Sequence, residues 1–476
     1  MEAAGWRDFD SCVKMEEYNA RDYYGSFMTR ALGVGASSLV TLLQIFLFFI
    51  NPGVVSSLLA QYPSGLYLGS RGSGQSRMLR VNERYLLQAL AVYLFITAKH
   101  ETTTQVTSAD KFLEGKIRDA IGEMHKLTPG NEATEILGFK NVCQIIARYL
   151  ITPKITKNIC ANFCAFLFSP GQDVALDEKL DYFTGKDNLH VRQVLTKKAR
   201  IGLWFYELCC RVKCTYTGGS KTLPFLMYVH MHDGYQGERL SMVTVLMWCV
   251  VALWSIGANG VHPKDNPWLL TFIAMDSYYM SRAVVTYLVS IGQKFTASMN
   301  KCRFKMELEY LHRRGGTSKP GDYKSIYNSL TGELITWCFD KVESVGEKWN
   351  YSFGFKTLDK NKKSEKADYK MYQNIVPGYH WYKLFFSICD RFNYMLIDKS
   401  WPHKRGGHGK SGFEGTYHDF VMSCVFVNTR NAYLSIKGLD PSSIDFYTMM
   451  SRLAVDILKY SYTLDKPEHY GYYKSN

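Results

Sequence analysis

Between residues 172 and 302 the chain alternates short apolar runs with helix-like ones, a grammar that few architectures can satisfy. IGLWFYELCC and LPFLMYVHM have the length and aromatic content of strands. A long apolar helix follows, then a strand, LLTFIAMD, that ends at Asp276, then a helix, SRAVVTYLVSIG, and a last strand, KFTASM. Strands interleaved with helices in this way predict an α/β core. Upstream, VALD reads as another buried strand, which delivers Asp177 to its end.

The flanks read differently. NERYLLQALAVYLFI and KFLEGKIRDAIGEMHKL repeat apolar residues at three- and four-residue spacing, so the region before the core is expected to be helical. Thr128-Pro129-Gly130 breaks that pattern, and GSRGSGQSR reads as a mobile linker. Residues 303–363 are polar, rich in Lys, Gly and aromatics, and read as an insertion into the core. Beyond 365 the chain turns mainly helical again, interrupted by the basic loop WPHKRGGHGKSG.

Several function classes can be set aside. Leu39 to Ile50 and Val243 to Ile256 are each shorter than the roughly 20 residues a membrane span needs, so both are expected to be core helices and no membrane partner is expected. A membrane or scaffold protein built on them is the competing class. The start, MEAAGWRDFD, is acidic where a signal peptide would be basic, so secretion is not expected. The 12 cysteines include no CxxC pair and mostly sit in apolar stretches such as NICANFCAFLF, which points to reduced thiols, a cytosolic or nuclear compartment and no zinc cross-brace. Lys and Arg outnumber Asp and Glu by 57 to 43, which suits a polyanionic partner or simply a basic surface.

Three acidic points stand out against this background: Asp177, Asp276, and the pair Glu365 and Asp368 in KSEKADYKMY. Carboxylates delivered from separate elements are what a hard divalent cation requires for phosphoryl chemistry. Each also has a plainer reading. Asp177 could belong to a solvated turn. Asp276 or Ser277 could cap a helix, although an acid ending so apolar a strand is costly to bury unpaired. Glu365 and Asp368, three apart, share a face if helical, as many surface charges do. His230-x-His232-Asp233 has metal-ligand spacing but lacks neighbouring ligands of the zinc type. Lys186, the Lys197, Lys198 and Arg200 cluster, His312-Arg313-Arg314 and Lys362-Lys363 are solvated charges, or phosphate contacts if DNA is the partner. Trp381 reads as a packing anchor.

Taken in order, these pieces resemble the piggyBac transposases and their transposable element-derived relatives. VALDEKLDYFTGK has the form of the family block that carries its first catalytic aspartate, here Asp177. TKKARIGLWFYELC is similar to the basic-turn-strand passage that follows, and AMDSYYMS to the block of the second aspartate, here Asp276. SEKADYKMY followed by HWYKLFFSICDRFNYML is similar to the third block, with Asp368 keeping its place and Glu365 standing where the family has its third catalytic aspartate. The third ligand stays open between the two.

The resemblance implies an α/β fold with a ribonuclease H-like catalytic core and an inserted segment, flanked by mainly helical regions. On that view residues 1–80 are an N-terminal segment with a linker and 81–171 a helical dimerisation or DNA-binding region. The core then comprises 172–302 and 364–400 around the insertion at 303–363, with a helical C-terminal region at 401–476. It further implies two Mg²⁺ ions, replaceable by Mn²⁺, held by Asp177, Asp276 and Glu365 or Asp368, for cut-and-paste DNA transposition at TTAA targets. Lys186, Lys197, Lys198 and Arg200 would contact double-stranded DNA, both transposon ends and target, in a nuclear homodimer. Family members commonly end in a cysteine-rich zinc-binding domain. No such cluster precedes HYGYYKSN here, so no zinc is expected. A domesticated, catalytically impaired DNA-binding descendant is the alternative.

Overall fold

A computed structural model of the chain describes residues 6–8, 24–27, 32, 40–51, 66–68, 77–79, 83–101, 151–171, 173–182, 191–193, 201–232, 241–256, 271–293, 295–297, 302–313, 323–328, 330, 334–338, 341–342, 346–347, 350–351, 387–396 and 413–464. From the N-terminus these form β1 (Trp6–Asp8), β2 (Tyr24–Phe27), α1 (Leu42–Phe49), β3 (Leu66–Leu68), β4 (Arg77–Leu79), α2 (Glu83–Glu101) and α3 (Pro153–Phe166). The central stretch holds β5 (Leu167–Gly171), β6 (Asp173–Tyr182), β7 (Val191–Gln193), β8 (Ile201–Tyr216), β9 (Gly219–Met231), α4 (Met242–Trp254), β10 (Phe272–Met275), α5 (Arg282–Ser290) and β11 (Phe295–Ala297). Then come α6 (Lys305–Arg313), β12 (Tyr323–Asn328), β13 (Leu334–Cys338), β14 (Lys341–Val342), β15 (Gly346–Glu347), β16 (Asn350–Tyr351), α7 over residues 387–396, α8 (Phe413–Lys437) and α9 (Phe446–Ser461).

The α/β class is as expected, with one large mixed sheet at its centre. Across it the strands run β9, β8, β6, β10, β11: β8 is antiparallel to both β9 and β6, and β6, β10 and β11 are parallel. β8 is sixteen residues long, buried from Gly202 to Val212, and long enough to pair with β7 and β9 on one edge and with β6 and β2 on the other. Such a strand reads as a continuous apolar run because both its faces are covered. The two strands foreseen as IGLWFYELCC and LPFLMYVHM are one hairpin, closed at Thr217-Gly218 with Gly218 at φ 98°, a backbone state that favours glycine.

Helices close both faces. Phe205 of β8 stacks on Phe420 of α8 with ring centroids 3.8 Å apart. On the N-terminal side Phe49 of α1 meets Phe163 and Phe166 of α3 at 4.8 and 5.4 Å. α1 and α4, the two apolar runs, are therefore core elements, and no described helix is long and apolar enough to cross a membrane. Both are capped by a hydroxyl. α1 begins with a reciprocal capping box between Thr41 and Gln44, and α4 begins at Ser241, whose hydroxyl accepts from the Thr244 N–H. Of the cysteines whose side chains are described, all but Cys302 are buried. Burial pushes the Cys160 and Cys164 thiols up to about 12, so both pack as protonated donors, to the Val229 and Met227 carbonyls.

The outer edge of β9 is sealed by side chains. Asn428 of α8 accepts from the Leu226 N–H at 2.9 Å and donates to the Leu226 carbonyl at 2.7 Å, and Asn431 donates to the Pro224 carbonyl. One carboxamide thus does what a neighbouring strand would do, which blocks pairing with another chain. Asn428→Ala should leave both Leu226 groups buried and unsatisfied, a cost of about 2 kcal/mol. A lower urea midpoint with an unchanged slope would show it, and an unmoved midpoint would refute it.

One sequence reading needs correction, the strand end at Asp177. GSRGSGQSR lies, up to Ser76, outside the described residues, between β3 and β4, which pair antiparallel from Leu66 with Leu79 to Leu68 with Arg77. Within the polar insertion, the described strands β12, β13 and β16 form a sheet with the N-terminal β1. Asp177 does not end its strand, which runs five residues further to Tyr182. KFLEGKIRDAIGEMHKL lies outside the described residues.

Candidate functional site

The parallel register brings two of the acidic points together. Leu176 of β6 is level with Met275 of β10, so the next residues, Asp177 and Asp276, come side by side on neighbouring segments of the chain. Backbones there are about 5 Å apart. Asp177 is held within a strand and only 7% exposed, whereas Asp276 lies where β10 gives way to a turn. The electrostatics agree with this proximity. The buried Tyr279 hydroxyl is pushed well above its ordinary pKa, by burial first and then by the charges of Glu178, Asp177 and Asp276.

Each carboxylate is oriented by local backbone. Asp177 Oδ1 accepts from the Glu178 N–H at 2.8 Å, and Asp276 Oδ1 from the Tyr278 N–H at 2.5 Å. Asp276 therefore orders its own turn and does not cap a helix. The cap of α5 is Ser281, whose hydroxyl accepts from the Val284 N–H. The turn is also gripped from outside: Arg303 donates to the Tyr278 and Met280 carbonyls at 2.7 and 2.8 Å. Beside it Arg282 pairs with the buried Glu307 and lies over the Phe304 ring.

Beneath Asp177 lies a polar layer that sequence reasoning missed. Alternation along β6 puts Asp177, Lys179 and Asp181 on one face, all buried, and Glu207 of β8 is the direct cross-strand partner of Asp177. Burial pushes the Glu207 carboxyl up to about 7, against the lowering influence of Lys179 and the Asn393 amide of α7. α7 follows the third acidic block in sequence, and its Cys389 thiol donates to the Ala175 carbonyl at 3.3 Å. Burial first, then the charges of Asp177 and Glu207 among others, hold that thiol up at about 11. Glu207 could have been found by the reasoning applied to Asp276, since an acid within LWFYELCC is equally costly to bury.

Glu365, Asp368, Lys186, Lys197, Lys198, Arg200, Lys362, Lys363 and Trp381 lie outside the described residues. Among those described, no three His, Cys, Asp or Glu side chains are grouped to hold a metal ion. Asp177 and Asp276 suit a hard cation by donor type, as two ligands of an oxygen set. His230 packs its ring on Trp248 and His232 lies by Tyr206.

No protein-family model matches the chain, and no curated protein matches it in sequence. Among solved structures it is similar to piggyBac transposase, determined by cryo-EM as a synaptic complex with hairpin DNA. The TM-score is 0.55 at 13% identity, over 92% of this chain and 83% of that one. At that identity the likeness is one of fold: most of this chain is arranged as the transposase is.

Proposed function

We propose that the chain is a piggyBac-like DNA transposase, cutting and rejoining DNA at a site built on Asp177, Asp276 and an acid of the third block, Glu365 or Asp368. The observation that carries this is the register setting Asp177 beside Asp276 on parallel strands. The strand order supports a ribonuclease H-like core, because β6 is central and carries the first acid. α7, which follows the third acids in sequence, packs against β6 and β8, the strands that carry Asp177 and Glu207. The likeness of fold to a transposase bound to hairpin DNA agrees with this reading.

Asp177 and Asp276 would hold two Mg²⁺ ions, or Mn²⁺ in their place, with the third acid. Bound there, the ions supply Lewis-acid activation of the attacking oxygen and neutralise charge on the phosphate. The protein's part is positional: the Glu178 and Tyr278 N–H groups aim the carboxylates, and Arg303 fixes the turn. Lys186, Lys197, Lys198 and Arg200 are the proposed phosphate contacts, on duplex DNA held by a homodimer in the nucleus, with TTAA the proposed target. One feature favours the second reading, a DNA-binding descendant without catalysis: Glu365 stands where the resemblance expects aspartate.

The test is incubation of the full chain with supercoiled plasmid and Mg²⁺ or Mn²⁺. Nicks with 3′-hydroxyl ends, suppressed by EDTA, are expected, together with DNA affinity that falls steeply with salt. Binding without nicking selects the second reading. Absence of binding at low salt overturns both.

A further inference from the structure

The segments that bear the two aspartates are joined by one side-chain hydrogen bond. Tyr279, three residues past Asp276, donates its hydroxyl to Glu178 Oε2 at 3.1 Å, and Glu178 directly follows Asp177. At its other end Tyr279 is tied to Asp276 itself, because its N–H donates to the Asp276 carbonyl at 3.3 Å. At the Glu178 end, the Glu178 N–H holds Asp177 Oδ1. A continuous path therefore runs from one aspartate through Tyr279 and Glu178 to the other.

Packing makes this path stiff. Tyr279 is fully buried, its ring 6.2 Å from that of Tyr206 and 5.4 Å from that of Tyr278. Tyr206 is the cross-strand partner of Glu178, so the ring and the carboxylate rest on the same strand pair.

We infer that Tyr279 and Glu178 are positioning residues that set the spacing of the Asp177 and Asp276 carboxylates, and through it the affinity of the site for a divalent cation. The inference rests on the proposed metal site. Groups that orient the ligands of a metal typically account for 10- to 100-fold in affinity. Removing one hydroxyl from the path is expected to fall at the lower end of that range.

The experiment is Mn²⁺ titration of the full chain, followed by electron paramagnetic resonance of free Mn²⁺, with thermal unfolding in EDTA as the measure of fold. Wild type should bind, and Asp276→Asn should lose binding. Tyr279→Phe and Glu178→Ala should each weaken binding about tenfold. Glu178→Gln, which keeps an acceptor for the hydroxyl, should restore wild-type affinity. A Tyr279→Phe protein with wild-type affinity overturns the inference and leaves the metal site standing. So does a Glu178→Gln protein as weak as Glu178→Ala, which would make Glu178 a ligand. Wild-type protein that binds no Mn²⁺ overturns the site and the inference together.

Discussion

Asparagine in place of Asp177 or Asp276 is expected to reduce metal-dependent strand cleavage on the order of 10³-fold or more, while duplex binding stays within a few-fold of wild type. The size follows from what is lost. Each substitution removes a full negative charge and a hard oxygen donor from a site that would otherwise hold two divalent ions, and about 4 kcal/mol of transition-state stabilisation corresponds to that factor. The fold should survive, because the carboxamide oxygen of asparagine can take over the acceptor role each side chain plays toward the neighbouring backbone. Asp177 Oδ1 accepts the Glu178 N–H and Asp276 Oδ1 the Tyr278 N–H, and an amide oxygen serves both. Gel assays of plasmid nicking beside filter binding would separate the two effects. Cleavage by either variant at the wild-type rate would remove that residue from the site.

How far the sequence led to this site depended on the length of chain each inference needed. Asp276 was legible because its signal is local: an apolar strand, an acid, then helix-starting residues. Its partnership with Asp177 came only through the family resemblance, since the register of β6 against β10 is set across about a hundred residues by packing that no local pattern encodes. The end of β6 was misread for a related reason. VALD reads as a strand that stops at Asp177, yet Lys179 and Asp181 beyond it lie buried and the strand continues through them. The N-terminal strands were missed because β1 and β2 are three and four residues long, too short to show a period. How Asp177 and Asp276 come together is thus a tertiary fact, whereas the place of Asp276 at the end of its own strand was a sequence fact.

The largest stability effect expected from one substitution is at Glu207, and its sign depends on pH. Buried beneath Asp177, this carboxyl ionises at about 7 in the folded protein against about 4.5 for an ordinary glutamate, with burial the main cause. The native state therefore holds the proton more tightly than the unfolded chain. The stability this contributes is fully present below about 4.5 and is lost as the pH rises through about 7, a change of about 3 kcal/mol. Glu207→Gln removes the ionisation and keeps the volume. Relative to wild type, the variant should gain about 3 kcal/mol between pH 4 and pH 8, whatever constant cost the amide adds at both ends. Urea unfolding of both proteins in EDTA across that range measures the difference directly, and parallel stability profiles would mean that Glu207 ionises in the native state as an ordinary glutamate does. In that case Lys179 would have to compensate the charge in full, and Lys179→Met would then be the more damaging change, because it would strand an ionised carboxylate in the core.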